Sequence, residues 1–175
     1  LQDPWPQLSN YDLIRIQLLL GSVRDWNTVY AQACESFQPR ARLEQAEIEW
    51  RFFSDDGTLE SSSALVTWSD TLCRAMRTAG LCLDIDGRTR NKLEAVGFVD
   101  VSEATIQLPI NPWSSQKRLK ELGELFYDCL SQAVHSMSMA ALTRIEQWSK
   151  DDVLRLVEDV REEARRLTIH AYCKL

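Results

Sequence analysis

Residues 41–68 read ARLEQAEIEWRFFSDDGTLESSSALVTW, and the period of the apolar positions changes within them. Ala46, Ile48, Trp50 and Phe52 alternate with Glu47, Glu49 and Arg51, which predicts a strand over 41–53 with one apolar and one charged face. Ser54–Thr58 then form a loop of two aspartates and a glycine. Beyond it Leu65, Trp68, Leu72, Met76 and Ala79 make one stripe of a helix that starts near the serines and stops at Gly80. Strand, short loop and amphipathic helix in this order form the repeating unit of an α/β fold.

Upstream, after a proline-interrupted lead, YDLIRIQLLLGS at 11–22 is apolar enough for a strand covered on both faces, and Gly21 supplies its turn. RDWNTVYAQACESF at 24–37 predicts a crossover helix with Asp25 as N-cap and Pro39 as its stop. Downstream, RTRNKLEAVGF predicts a short helix closed by Gly97, and VDVSEATIQLPI a strand ended by Pro109. Leu119, Leu122, Phe126, Leu130, Val134, Met137 and Leu142 then mark a long helix, expected to bend or break near SMSMAA at 136–141. SKDD at 149–152 is a capping box for a last helix with Leu154, Val157, Val160, Ala164 and Leu167 inward, and TIHAYCKL closes as a strand. The fold class is therefore α/β, a sheet with helices on both faces and a long helical insertion over 114–168 before the last strand.

Composition narrows the function classes. With 175 residues, 45% of them apolar, the chain can bury a core. Acidic residues outnumber basic ones 26 to 20 for a net charge of −6, the opposite of a phosphate-binding surface, so no nucleic-acid partner is expected. No apolar run approaches a membrane span and no leader pattern opens the chain, so the sequence reads as soluble and intracellular, cytoplasmic or nuclear. The five cysteines include no CxxC pair, which suggests neither a disulfide framework nor a metal site and reads as mostly buried thiols.

YDLIRIQLLLGSVRDWNTVYAQACESFQPRARLEQAEIEWRFFSDDGTL, LEAVGFVDVSEATIQLPINPWSSQKRLKELGELF and RRLTIHAYCKL, in this order, resemble the LaeA-like S-adenosylmethionine-dependent methyltransferases of fungal secondary metabolism. The resemblance covers almost the whole chain. It implies the C-terminal part of a Rossmann-like class I methyltransferase sheet, from the fourth of seven strands onward, and so a partial methyltransferase domain over 1–175. The glycine-rich turn by which such folds approach the cofactor is missing: the six glycines, at 21, 57, 80, 87, 97 and 123, include no GxG pair. The family's LKPGG turn is here FQPRA. Truncation at both ends is the expectation that follows, with S-adenosylmethionine bound by the intact family and not by this chain alone.

The resemblance places Gln17, Leu18 and Leu19, at the end of the first strand, near the methionine part of the cofactor. Glu44 and Glu47 lie on the second strand and Asp55 and Asp56 at its carboxyl end, where ligands of open α/β sheets sit. Glu47, Asp55 and Trp113 are the candidate acceptor-binding residues, against the alternatives of a solvated turn for the aspartates and a packing anchor for the indole. His135 and His170 read as structural or hydrogen-bonding residues. No catalytic residue and no metal ligand is assigned. The function implied is methyl transfer to a small metabolite or a protein, catalytically incomplete in this chain. A non-catalytic regulatory module that docks a protein through helices 114–168, and a methyltransferase fold recruited to pericyclic chemistry, remain open beside it.

Overall fold

The computed structural model describes Trp5 and residues 10–85 and 87–175, so most of the proline-interrupted lead lies outside the described residues. β1 (Tyr11–Gln17) and β2 (Phe37–Ala46) run parallel, joined across one face by α1 (Trp26–Glu35). Asp25 caps α1 as expected: its Oδ1 accepts from Asn27 N at 2.9 Å and its Oδ2 from the Thr28 hydroxyl at 2.6 Å. That hydroxyl bond, first among its causes, holds the Asp25 carboxyl below the usual range. Val29, Tyr30 and Ala33 form the buried face of α1, and Val29 and Tyr30 join Ile16 and Val23 in a small core.

Pro39 does not stop the helix, which has already ended at Glu35. It lies inside β2, at a bulge where Tyr11 faces Phe37 but Leu13 faces Arg42, so two steps on β1 meet five on β2. A residue without an N–H is tolerated in a sheet at such a place, and Arg40 beside it takes φ +73°.

The single strand expected over 41–53 is two strands in two sheets. β2 ends at Ala46, and β3 (Glu49–Phe53) belongs to a three-stranded sheet with β4 (Gln107–Pro109) and β5 (Tyr172–Lys174). β5 lies in the middle, antiparallel to both neighbours. The break falls at Glu47, whose side chain turns inward to bind the end of β1. The alternation beyond it holds: Phe52 is buried, and Ile48 and Trp50 pack on the core. The strand expected over 99–110 shrinks to β4, extended by reciprocal backbone bonds between Ile106 and Leu175.

Three helices cover this sheet: α2 (Ala64–Thr78), α4 (Lys117–Arg144) and α5 (Lys150–Arg165), while α3 (Thr89–Ala95) packs on α1. Trp68 of α2 sits fully buried at the centre, donating its indole N–H to Ser138 Oγ at 2.7 Å and packing against Trp50 and Phe52. α4 runs over 28 residues without interruption, so of the bend or break expected near SMSMAA the break does not occur. The hydroxyls of Ser136 and Ser138 there bond back to carbonyls of the preceding turn and leave the helix ladder intact. Ser149 caps α5 as expected, accepting from Asp152 N at 3.1 Å. The buried stripe of α5 is Val153, Leu156, Val157, Val160 and Ala164; of the two leucines expected inward, Leu154 is 37% exposed because it flanks that stripe, and Leu167 is 56% exposed in the turn past the helix end at Arg165. α3 closes through Gly97 at φ +110°, with Phe98 N bonding Leu93 O. The thiols are less buried than expected: Cys73 and Cys173 are buried, Cys34 and Cys82 half-buried, and Cys129 lies exposed on α4.

Candidate functional site

The carboxyl ends of the parallel strands meet at a buried carboxylate. Glu47, 7% exposed, reaches back across the pair and places Oε2 2.8 Å from Leu19 N and 3.0 Å from Leu20 N. Those two amides lie just past the end of β1, where no ladder partner serves them, so the carboxylate supplies what the sheet does not. A polar chain from α1 supports it: the Tyr30 hydroxyl donates to Gln45 Oε1 at 2.7 Å, and Gln45 Nε2 approaches Glu47 Oε1 at 3.4 Å. Burial pushes the Glu47 carboxyl up, and the amides of Leu20 and Leu19 and the Gln45 side chain work against that.

The turn held in this way projects outward. Leu18 adopts φ +54° and is 53% exposed, with its N–H on Ala46 O. Gly21 follows at φ +81°, its N–H on Cys82 O at 2.8 Å, and a Cβ there would stand 2.8 Å from Leu83 Cδ2. The conformation favours glycine, and a Cβ would in addition have to displace the end of the flexible Leu83 side chain. Gln17, Leu18 and Leu19 thus form a ledge over the strand ends, with Glu47 as its strut. Glu44 is exposed opposite Arg15 on β1, away from that strut.

A second cluster lies at the carboxyl ends of β3 and β4, beyond the five residues of β3, a distance of roughly 17 Å at ~3.3 Å per residue. Asp56 closes the Ser54–Thr58 loop on itself, Oδ1 accepting from the Ser54 and Thr58 hydroxyls at 2.9 and 2.8 Å. Its Oδ2 lies 2.5 Å from His170 Nδ1, and the Thr58 hydroxyl accepts from His170 N at 2.8 Å. Trp113 stacks on the imidazole with centroids 4.9 Å apart and donates its indole N–H to Ala171 O at 2.9 Å. The Tyr172 hydroxyl donates to Asp55 Oδ1 at 2.8 Å, a bond that pushes the phenol up. The Asp56 carboxyl is held well below the usual range, by His170 first and then by the two hydroxyls.

The three acceptor-binding candidates therefore divide. Asp55 and Trp113 come together with His170 and Tyr172, whereas Glu47 joins Gln17, Leu18 and Leu19 at the other cluster. Asp55 and Asp56 belong to a closed, internally bonded loop and Trp113 to a packed anchor, and His170 has the hydrogen-bonding role expected of it. His135 is exposed on α4, in neither cluster. Tyr30, Gln45 and Tyr172 escape sequence reasoning, since their partners lie 15 to 117 residues away for the two tyrosines and no local pattern marks them. Among the described residues no group of three or more His, Cys, Asp or Glu is placed to hold a metal ion, and no helix is long and apolar enough to cross a membrane.

The ledge offers S-adenosylmethionine backbone and apolar contact but no glycine cradle. Gly21, the glycine beside it, has its open side filled by Leu83 and Met76. The residues present do not by themselves fit a nucleoside cofactor.

No protein-family model matches the chain. It is 31% identical over 173 residues to the secondary metabolism regulator laeA of Aspergillus flavus, covering 98% of this chain and 47% of that protein. It is 32% identical over 174 residues to the secondary metabolism regulator LAE1 of Cochliobolus heterostrophus, covering 98% and 57%. It is 30% identical over 173 residues to the protein-methionine methyltransferase laeA of Emericella nidulans, covering 97% and 46%. The chain spans about half the length of the curated relatives it matches.

Proposed function

The chain belongs to the LaeA-like family of fungal secondary-metabolism regulators, and from that premise we propose that it forms the acceptor-side part of a methyltransferase-type domain. β1 and β2 are then the fourth and fifth strands of a Rossmann-like class I sheet. The observation that carries this reading is the parallel pair with its crossover helix, whose carboxyl ends meet at the Glu47 strut. In open α/β sheets that edge is where ligands sit.

The intact relative would transfer a methyl group from S-adenosylmethionine to an acceptor, the cofactor supplying the electrophile and the protein mainly the alignment. One relative is named a protein-methionine methyltransferase, which favours a protein acceptor over a small metabolite. The part given to this chain is positional: Glu47 fixes the Leu18–Leu20 ledge, and Trp113, His170 and the Ser54–Thr58 loop brace the far end of the sheet. This chain alone is inferred not to bind the cofactor with useful affinity.

Calorimetry and a chimera test the reading together. Titrated with S-adenosylmethionine, the chain alone should give no heat of saturable binding. A dissociation constant of about 1 µM, worth about 8 kcal/mol, requires a formed site and would contradict the inference. Placed in the Emericella nidulans relative in exchange for the matched segment, the chain should restore cofactor binding and methyl transfer to protein. A folded chimera that binds the cofactor but transfers nothing would refute the acceptor-side assignment.

A further inference from the structure

Asp56 is followed by a glycine, and the Ser54–Thr58 loop that holds the pair is exposed at Asp55, Asp56 and Gly57. An aspartyl side chain can react with the amide of the next residue when nothing shields that nitrogen, and glycine, without a Cβ, shields it least. Here the nitrogen is open. Among the described residues the Gly57 N–H donates to no acceptor, and nothing lies within 4 Å of the place where a Cβ would stand. The carboxyl, by contrast, is held on both oxygens. Oδ1 accepts from the Ser54 and Thr58 hydroxyls at 2.9 and 2.8 Å and from Thr58 N at 3.2 Å, all within the loop. Oδ2 lies 2.5 Å from Nδ1 of His170, 114 residues away. That contact is reinforced by His170 N, which donates to the Thr58 hydroxyl at 2.8 Å, and by the Trp113 indole stacked on the imidazole.

We propose that Asp56–Gly57 is a site of spontaneous covalent modification, aspartate to isoaspartate, and that the contact with His170 is the clamp that restrains it. In the reaction the Gly57 nitrogen attacks Asp56 Cγ, a C–N bond forms, and the carboxyl hydroxyl leaves as water with the proton given up by the nitrogen. The product is a five-membered cyclic imide. Water then adds to one of its two carbonyls. Opening on the main-chain side leaves the backbone running through Cβ and Cγ, with the former main-chain carbonyl as a free carboxylate. No atom changes oxidation state, and water is the only co-reactant. Ring closure requires Cγ to turn toward the following amide, so both oxygens must first leave their donors. It also proceeds through the protonated carboxyl, the better electrophile, and the bonds that hold Asp56 below the usual carboxylate range, His170 first, keep that form scarce. Conversion lengthens the backbone by one carbon and moves the carboxylate, so the loop loses its hold on His170 and on the lead into β5. The brace at the far end of the sheet therefore carries a slow covalent weak point, whether or not the protein transfers methyl groups.

The test follows the chemistry directly. Parent and variants are incubated at neutral pH and body temperature for weeks and digested, and the Asp56 peptide is read by electron-transfer mass spectrometry, which separates isoaspartate from aspartate. A synthetic peptide of residues 52–60 gives the unrestrained rate, and Asp86–Gly87, the other Asp–Gly pair of the sequence, gives an internal reference in every sample. In the parent, isoaspartate at Asp56 should accumulate measurably but roughly tenfold or more slowly than in the peptide. His170→Ala should raise the rate severalfold toward that of the peptide, with the Asp86–Gly87 rate unchanged. His170→Asn, whose amide can reach the same oxygen, should return it toward the parent. Should His170→Ala fail to fold, as judged by circular dichroism, Thr58→Val removes a donor to Oδ1 and the acceptor for His170 N, and should also accelerate the reaction. Equal rates in parent and peptide overturn the proposal, as does a parent rate retained by the folded His170→Ala or Thr58→Val variant, or no difference between His170→Ala and His170→Asn. Absence of isoaspartate at Asp56 in every folded protein while the peptide reacts overturns it too. So does an Asp86–Gly87 rate that rises in step, because the restraint would then be general stability and not this contact.

Discussion

The β1–α1–β2 unit and the sheet of β3, β5 and β4 with its three helices are built to different standards. Among the described residues, four apolar side chains are buried in the first unit's core, Ile16, Val23, Val29 and Tyr30. The second unit buries 21, from Phe52 through Trp68 to Cys173. The first carries the ledge and strut of the candidate site on an open two-stranded pair, whereas the second is closed around an indole. Their junction consists of the backbone passing Glu47 and Ile48, the Gly21–Cys82 bond, the Arg24 guanidinium on Ala79 O, and the packing of Leu20 and Gly21 against the larger core at Leu83 and Met76. Stability and candidate function are thus divided between the two units. Helices supply the stability, and the parallel pair supplies the strand ends.

Val157→Asp should produce the largest loss. Val157 is 1% exposed between α5 and its neighbours, so an unpaired charge there costs several kcal/mol, about 3–5 by analogy with broken buried pairs. Thermal melting should show the second unit unfolded or strongly destabilised. Leu122→Asp, at a half-buried position, should cost distinctly less, and equal losses would mean that the depth assigned to the α4 stripe is wrong.

Gly123→Ala comes next. A Cβ at Gly123 would lie 2.2 Å from Asn111 O, a backbone atom with no freedom to retreat. Overpacking of this kind costs about 1–3 kcal/mol, read as a lower denaturant midpoint at unchanged slope. Gly57→Ala, where nothing lies within 4 Å and only φ +75° opposes the change, should cost about 1 kcal/mol or a little more. Were the order reversed, backbone strain rather than the contact of α4 with the 110–112 segment would be the tighter constraint.

Local signals and long-range ones separate cleanly in what the sequence reveals. Asp25 and Ser149 are legible as caps because an N-cap bonds amides two or three residues away, and Gly97 because a left-handed terminus favours glycine. The division of 41–53 is not legible, because period-two alternation runs straight through Glu47 while the cause of the break lies at Leu19 and Leu20. Leu154 misleads for a related reason: it has helical spacing from Val157, and only packing decides which side of that arc faces inward, whereas Leu167 keeps the spacing from Ala164 but lies past the helix end at Arg165. The site shows the same limit. Its strand ends and loop are visible in sequence, but the pairing of Asp56 with His170 across 114 residues is not.

The smallest expected effect is on acid stability. The His170 contact and the Ser54 and Thr58 hydroxyls depress the Asp56 carboxyl in the folded chain. A carboxyl depressed on folding contributes stability above its unfolded value, near ~3.9 for aspartate, and loses it as pH falls through the folded value. Asp56→Asn should therefore lower the melting temperature slightly at neutral pH and flatten part of the decline on acidification below about pH 4. Asp56 is solvent-exposed, so the change should be small beside that of Gly123→Ala. A decline of unchanged steepness would remove Asp56 from the groups that set acid stability.

Native-state hydrogen exchange tests the division of the molecule most directly. Amides of α4 and α5 around Leu130, Val134 and Val157 should exchange only through the least frequent, global opening, while those of Ile14, Ile16, Leu43 and Gln45 on the parallel pair should exchange through a separate opening of lower free energy. The difference should persist at every denaturant concentration below the main transition. Equal protection in the two sets, merging into one opening, would contradict the account, because the pair that carries the candidate site would then share the stability of the helical unit.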